Sequence, residues 1–531
     1  MNQRRYFEPL AAVGRKNAPD KYHPTKPEAL LNDMKYARIH GAAILHNTAL
    51  DYSYAYGNRE GLALANENSR FFALAAAPTT ATIETDNPDY FNELLDSGIR
   101  GFVISPKLLC SLNAKNFNEL AAALIAHNRP LIFTMTTFPE GRLDDIAAIA
   151  EAYPKLRILL HGAHWGSARI VWNMLLRLDN IYFDISSFHV NDILEKTKEL
   201  VGIHRVLYSS AWPIKSMGAI KAMIEYADIT EEEKDMVAHG NACNLFGISP
   251  NELELYDDSE CQFDSIASEA DRGLPISVPV TDAHTQMIPK EDVTLNFCMV
   301  FNGDCDSMAK KMERLGIDVI MTAPFSGIAH DGILGMKEAV YAAGKHPGKY
   351  LAYGTCNPNY KDDLDSWKDY YEQYPDVVVG VKPYAPNHGF SLNDSIYENW
   401  FSYANEHRLP VLIHADGGMN VSDVEPAVRK YPHAVFILAH AGTSYDVARS
   451  HIELAKKYDN VFLEITYTTT GRSMIEFLVE NVGADRILYG SDQPMRNPAP
   501  QLAWVCYARI PVEDKKKILA GNIKRILDNR I

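Results

Sequence analysis

Short continuous apolar runs alternate with longer stretches of helical period along the whole chain. In the later half the runs are DVIMTAP, YLAYGTC, VVVGVKPY, PVLIHADG, VFILAHAG, VFLEIT and RILYGSD. Their apolar positions are consecutive rather than alternating, which predicts strands covered on both faces, hence a parallel sheet with helices outside. Stretches such as DVEPAVRKYPH and SYDVARSHIELAKKY fall between the runs and carry the spacing of amphipathic helices. Strand and helix units repeating over about 250 residues favour a closed barrel. An open doubly wound sheet is the alternative, but no GxGxxG follows an early strand.

The same pattern occurs twice. LIFT (Leu131 to Thr134), ILLH (Ile158 to His161) and VLYSSAWP (Val206 to Pro213) return as VLIH (Val411 to His414), FILAH (Phe436 to His440) and ILYGSDQP (Ile487 to Pro494). The partners lie about 280 residues apart, which marks a duplication at domain scale. Both copies close on a helical segment with a Gly-Asn pair, at Asn241 and at Asn522. The expected domains are residues 1–248, an exposed acidic linker at 249–274 with a short helix, and residues 275–531. The fold class is α/β, two tandem (β/α)8 TIM barrels, the first degenerate at its metal site.

Composition narrows the setting. A net charge of −16 argues against nucleic acid or an anionic membrane as partner. Seven scattered cysteines without a CxxC suit a reducing compartment rather than a disulfide framework. No stretch approaches the roughly 20 apolar residues of a membrane span. The opening MNQRRYFEPLAAVGRK lacks the apolar core of a signal peptide, so a cytoplasmic location is expected.

The polar chemistry is complete in one copy only. In the second copy, strands end in Asp282-Ala283-His284-Thr285-Gln286, in His414, in His440 and in Asp492. A parallel barrel gathers the C-terminal ends of its strands at one mouth. Imidazoles with a carboxylate suit a borderline divalent ion such as Zn²⁺, with a position open for water. Such an ion activates water, and a neighbouring carboxylate takes its proton and returns it. The first copy has Thr134 for His414 and Ala211 for Asp492, and its RRYFEPLAAVGR carries no DxHxH. By spacing, His161 takes the place of His440.

DAHTQ, VLIHADG, FILAHAG and LYGSDQP together resemble the amidohydrolase superfamily, in the amidohydrolase 2 branch that includes aminocarboxymuconate-semialdehyde decarboxylase. The resemblance implies one divalent metal, zinc first and manganese as the alternative. His284 and His414 would then be ligands, Asp492 ligand and proton acceptor, and His440 the group that polarises substrate or activates water. Gln286 stands where the branch has the second histidine of HxH. As a ligand its oxygen is neutral, harder and weaker than imidazole. Lys382 stands where binuclear members carry a carboxylated lysine; here it is expected to meet an anionic substrate or to be structural, and its counterpart is Val103. Arg496 is placed to pair a substrate carboxylate, against the plainer reading of a surface ion pair. Tyr384 is a further substrate candidate, with His330, His388 and Tyr467 as weaker ones. Glu464, matched by Asp184, reads as a structural acid.

The function expected is hydrolysis of an amide, lactone or ester-like bond in a small, carboxylate-bearing carbonyl compound. Decarboxylation or hydration of a small carboxylic acid is one alternative. A non-catalytic binding or scaffold protein with both barrels degenerate is the other. Members of the branch form homodimers, so the eroded copy is expected to serve as a built-in partner, an intrachain pseudo-dimer, with dimerisation of the whole chain left open.

Overall fold

The computed structural model describes all residues except 1–3, 19–20, 136–141, 258–260, 291–294, 297, 416–418 and 468. The chain divides into two compact units, Met1–Gln262 and Phe263–Ile531. The first contains β1 (Phe7–Val13), β2 (Gly41–His46), β3 (Phe71–Ala73), β4 (Ala75–Ala76), β5 (Phe102–Ile104), β6 (Leu131–Thr134), β7 (Ile158–His161), β8 (Ile181–Asp184) and β9 (Val206–Leu207). The second contains β10 (Thr281–Thr285), β11 (Val319–Thr322), β12 (Tyr350–Gly354), β13 (Val378–Val381), β14 (Pro410–His414), β15 (Val435–Ala439), β16 (Val461–Glu464) and β17 (Ile487–Leu488).

In each unit the strands are parallel and neighbour one another in chain order. β3 and β4 are one strand course interrupted at Leu74, whose N–H still reaches Ile44 O at 2.9 Å. The apolar runs are buried as their composition requires: Val411, Leu412, Phe436, Ile437, Leu438 and Leu463 are all 0–1% exposed. The two TIM barrels of the tandem fold are therefore real.

Each barrel is closed by the same device. In the second, Ala283 N–H donates to Tyr489 O at 3.0 Å and Gln286 N–H to Gln493 O at 2.8 Å. Asp282 accepts from the N–H groups of Ser491 (2.9 Å) and His284 (3.2 Å), and from the Ser491 hydroxyl. In the first, Ala12 N–H donates to Trp212 O at 3.4 Å, and Glu8 accepts from Ser209 Oγ (2.5 Å) and from Ser210 N–H (2.8 Å) and Oγ (2.5 Å). A register irregularity follows the acid in both, between Glu8 and Ala11 and between Asp282 and Thr285. Glu8 is thus the counterpart of Asp282, so the first strand lost its histidine but kept its acid. Removing Glu8 would orphan three buried donors. Glu8→Ala is expected to lower the stability of the first barrel by about 3 kcal/mol in urea unfolding, with turnover unchanged.

The Gly-Asn pairs also have one task. Asn241 Nδ2 donates to Ile203 O (2.9 Å) and Val206 O (2.8 Å), and Asn522 Nδ2 to Ala484 O (2.7 Å) and Ile487 O (2.8 Å). Each pins the closing helix to the start of the last strand.

The acidic stretch expected as a linker is exposed at many of its described positions and is pinned at a few buried ones. Leu253 is buried in the first unit's core, and Tyr256 OH donates to Ile39 O at 3.1 Å. Residues Ser265–Asp271 form a helix that buries Ile266, Ala267 and Ala270, and Asp264 pairs Lys515 at 2.6 Å. All seven cysteines are free thiols. Among the described residues, no helix is long and apolar enough to cross a membrane.

Candidate metal centre at the mouth of the second barrel

His284 lies next to the end of β10, between β11 and the residues that continue β17, and it is 0% exposed. Its Nδ1–H donates to Glu464 Oε2 at 2.9 Å, which fixes the tautomer and leaves the Nε2 lone pair facing the mouth. Lys382, directly after β13, brings Nζ to 3.3 Å from that nitrogen. His414 at the end of β14 brings its Nε2 to 3.4 Å, and Asp492 its Oδ1 to 3.8 Å. His440 follows β15 and donates from Nδ1 to Thr466 O at 3.0 Å. Side-chain nitrogens of His284, His414 and His440 all lie within 4.8 Å of one another.

Burial and charge set the protonation of the imidazoles. All three imidazoles are held well below their ordinary range, by burial first, with the charges of Lys382 and Arg496 adding to it. They are neutral, as ligands must be. Burial pushes Glu464 up to about 7, against hydrogen bonds from Thr466 and the charge of Lys382. It likewise pushes Asp282 up to about 8. The cluster of three imidazole nitrogens, with the Asp492 carboxylate beside His284, offers more than enough ligand atoms to hold one divalent ion.

Two backbone positions carry strain. His440 and Asp492 sit at φ 63° and 64°, in the left-handed region that costs a side chain about 1–2 kcal/mol. Strand pairing identifies their counterparts. His414 pairs Ala439, whereas Thr134 pairs His161. His161 therefore corresponds to Ala439, and Gly162, at φ 74°, to His440. This corrects the equivalence of His161 with His440 expected from spacing. His161 turns instead to Asp184, with Nδ1 at 2.8 Å from Oδ2. Read by register, the first barrel has Leu10 for His284, Ala12 for Gln286, Thr134 for His414, Gly162 for His440 and Ala211 for Asp492.

A match to the amidohydrolase family covers residues 4–248 and again 335–528, one segment in each barrel. The chain belongs to the amidohydrolase family. The second segment of this amidohydrolase match begins beyond β10, where Gln286 departs from HxH. No curated relative matches by sequence. Among solved structures, 5-carboxyvanillate decarboxylase from Sphingomonas paucimobilis aligns at 13% identity and TM-score 0.38, over 48% of this chain and 99% of that one. A Burkholderia multivorans amidohydrolase with bound zinc aligns at 12% identity and TM-score 0.37, over 47% and 99%. A dihydroxybenzoic acid decarboxylase from Polaromonas sp. JS666 with bound manganese aligns at 13% and 0.35, over 47% and 97%.

The other residues singled out in this amidohydrolase separate clearly. Arg496 is no surface residue: it is 3% exposed, ion-pairs Asp492 four positions before it, and lies 4.8 Å from the Tyr467 ring. Tyr384 and Tyr467 border the centre, with ring centroids 5.5 Å from His414 and 5.4 Å from His440. His388 donates to Ile328 O at 3.1 Å, and His330 is exposed; neither joins the centre. Gln286 is 2% exposed, and its Oε1 has no hydrogen-bond partner. Asp416 and Gly417 of VLIHADG lie outside the described residues. Asp282, Thr466 and Ser491 hold the centre from behind and were not singled out from sequence. The signal for Asp282 was present, an acid two positions before the strand-end position in both copies.

A second grouping, Cys305, Asp306 and His346, is also compact. Its Asp306 is already taken by Lys345 (2.6 Å) and His346 (2.8 Å), and burial raises the Cys305 thiol away from the thiolate a metal needs.

Glu464 is the partner that aims His284. Glu464→Gln is expected to weaken metal binding about 10–100-fold, read by metal titration, with the fold retained.

Proposed function

We propose that the second barrel is a metal-dependent hydrolase cleaving an amide, lactone or ester-like bond in a small carbonyl compound. The convergence of His284, His414 and His440 within 4.8 Å, with the Asp492 carboxylate 3.8 Å from His284, carries this reading. His284, His414 and Asp492 would hold one divalent ion, zinc first and manganese second. When bound, that ion polarises a carbonyl and lowers the pKa of water. His440, its Nδ1 anchored on Thr466 O, orients the substrate carbonyl through the ring's other edge. Asp492 takes a proton from the attacking water at its carboxylate and delivers it to the leaving group. Arg496 ion-pairs the Asp492 carboxylate and holds it in place, and Lys382 supplies positive charge for a substrate carboxylate. Tyr384 borders the same space.

The test is metal removal from the full chain, followed by assay on a panel of small amides, lactones and esters. Loss of hydrolysis on chelation and its return with Zn²⁺ or Mn²⁺ is the expected result. Folded protein that neither holds nor answers to metal would overturn the proposal. CO₂ release from small carboxylic acids, with no hydrolysis, would replace hydrolysis by decarboxylation.

A further inference from the structure

At the N-terminal ends of the strands, away from the mouth, the two barrels treat one depression differently. In the first barrel Arg157, directly before β7, fills it. Its guanidinium donates to Asn244 O (3.0 Å), Leu245 O (2.9 Å) and Asn128 O, and lies beside Tyr182. Asn244 and Leu245 belong to the last turn of the closing helix, and Asn128 caps the helix before β6. Carbonyls at helix ends lack partners within their own helix, so Arg157 is a structural plug.

Strand register identifies the counterparts. Ile158 pairs Leu131 as Phe436 pairs Val411, which puts Val435 in the place of Arg157. Tyr182 pairs Leu159 as Phe462 pairs Ile437. Arg408, at φ 54°, answers to Asn128, at φ 53°. Counting from the matched Asn241 and Asn522, Arg525 answers to Asn244 and Ile526 to Leu245. Arg408, Val435, Phe462, Arg525 and Ile526 all line one open cavity of about 800 Å³ in the second barrel. The plug is gone, and two neutral positions around it have become arginines. Positive charge has moved from the middle of the depression to its wall.

Those two guanidiniums are only partly engaged. Arg408 donates to Asn529 Oδ1 at 3.3 Å, and Arg525 to Asp485 O at 2.7 Å with the Asp485 carboxylate at 3.7 Å. Each guanidinium has five donors, so most remain for a ligand. The acids that line the cavity are taken by other cations, Asp528 by Lys524 and Asp459 by Arg486.

We propose that this cavity binds a small phosphate monoester, its phosphate held between Arg408 and Arg525 and its organic part against Val435, Phe462 and Ile526. Guanidinium forks match phosphate oxygens two at a time. The volume lies within the roughly 300–1,000 Å³ of small-molecule sites, far more than a bare ion occupies. Val435 begins β15 and His440 follows its end, so the ligand leaves the metal centre free.

The test is calorimetry on the full chain with phenyl phosphate, inorganic phosphate and benzoate, before and after metal chelation. Phenyl phosphate is expected to bind about 10-fold tighter than either other probe, equally with and without metal. Arg408→Gln and Arg525→Gln should each weaken it about 10-fold or more. Val435→Arg, which restores the plug of the first barrel, should abolish binding; should that variant not fold, the two arginine variants decide. A wild-type chain that does not bind phenyl phosphate overturns the site. So does binding lost on chelation, which would place the phosphate at the metal centre, or binding unchanged in both arginine variants. Benzoate bound as tightly as phenyl phosphate overturns the choice of phosphate.

Discussion

Asp492→Asn is expected to lower kcat by about 10³-fold while the chain stays folded. The substitution is isosteric, and Asn tolerates the left-handed backbone that Asp492 adopts at φ 64°. What disappears is the negative charge that faces His284 Nε2 at 3.8 Å and the site that accepts a proton. The same change breaks the buried Arg496–Asp492 ion pair, and breaking a buried pair by removing one partner costs about 3–5 kcal/mol. The two effects separate in the double variant Asp492→Asn with Arg496→Met, which should regain much of the lost Tm and none of the turnover. Thr134→His in the first barrel should leave kcat where it was, because Leu10, Gly162 and Ala211 still supply no ligands. Steady-state turnover within a few-fold of wild type in Asp492→Asn would remove this residue from the mechanism.

Gly490→Ala should empty the centre without replacing a ligand. A Cβ at Gly490 would lie 2.3 Å from Glu464 Oε1, 2.5 Å from Thr466 Oγ1 and 2.8 Å from His284 Cβ. All three are closer than atoms can pack, and none belongs to a flexible side chain with room to swing. The strain falls on the Glu464–His284 bond that aims the Nε2 lone pair. Overpacking of this kind costs about 1–3 kcal/mol, and displacement of His284 by even a fraction of an ångström spoils the donor set. Metal content measured on the purified variant should fall well below stoichiometric, with a lowered Tm. Unchanged metal content would show that His284 is held by something other than Glu464. The first barrel has Ser209 at this position, where its hydroxyl serves Glu8.

Much of this was legible in the residue order. Continuous apolar runs identified buried parallel strands because a strand covered on both faces has no polar side to show. The strand-end residues His284, His414, His440 and Asp492 declared a common mouth, since a parallel barrel puts those ends together whatever their separation in sequence. The family shared by both halves follows from the same motifs.

Pairing register was not legible. ILLH and FILAH look equivalent as strings, yet Thr134 pairs His161 while His414 pairs Ala439. A shift of one residue changes which side chain faces the mouth, and only hydrogen bonds to the neighbouring strand reveal it. The burial of Arg496, which decides against the surface ion pair, was not legible for a similar reason: burial depends on what folds over a position, and no local pattern encodes that. The matched acids of β1 and β10 left a signal in the sequence, but what Glu8 and Asp282 do is set by Ser210 and Ser491, roughly 200 residues later. By itself, then, the sequence determined two parallel α/β barrels, the family, and which copy holds the metal-competent set, all properties of residue type and local period. The tertiary structure alone decided which histidine matches which, what aims His284, and which polar atoms lack partners. Those depend on distances between strands far apart in the chain.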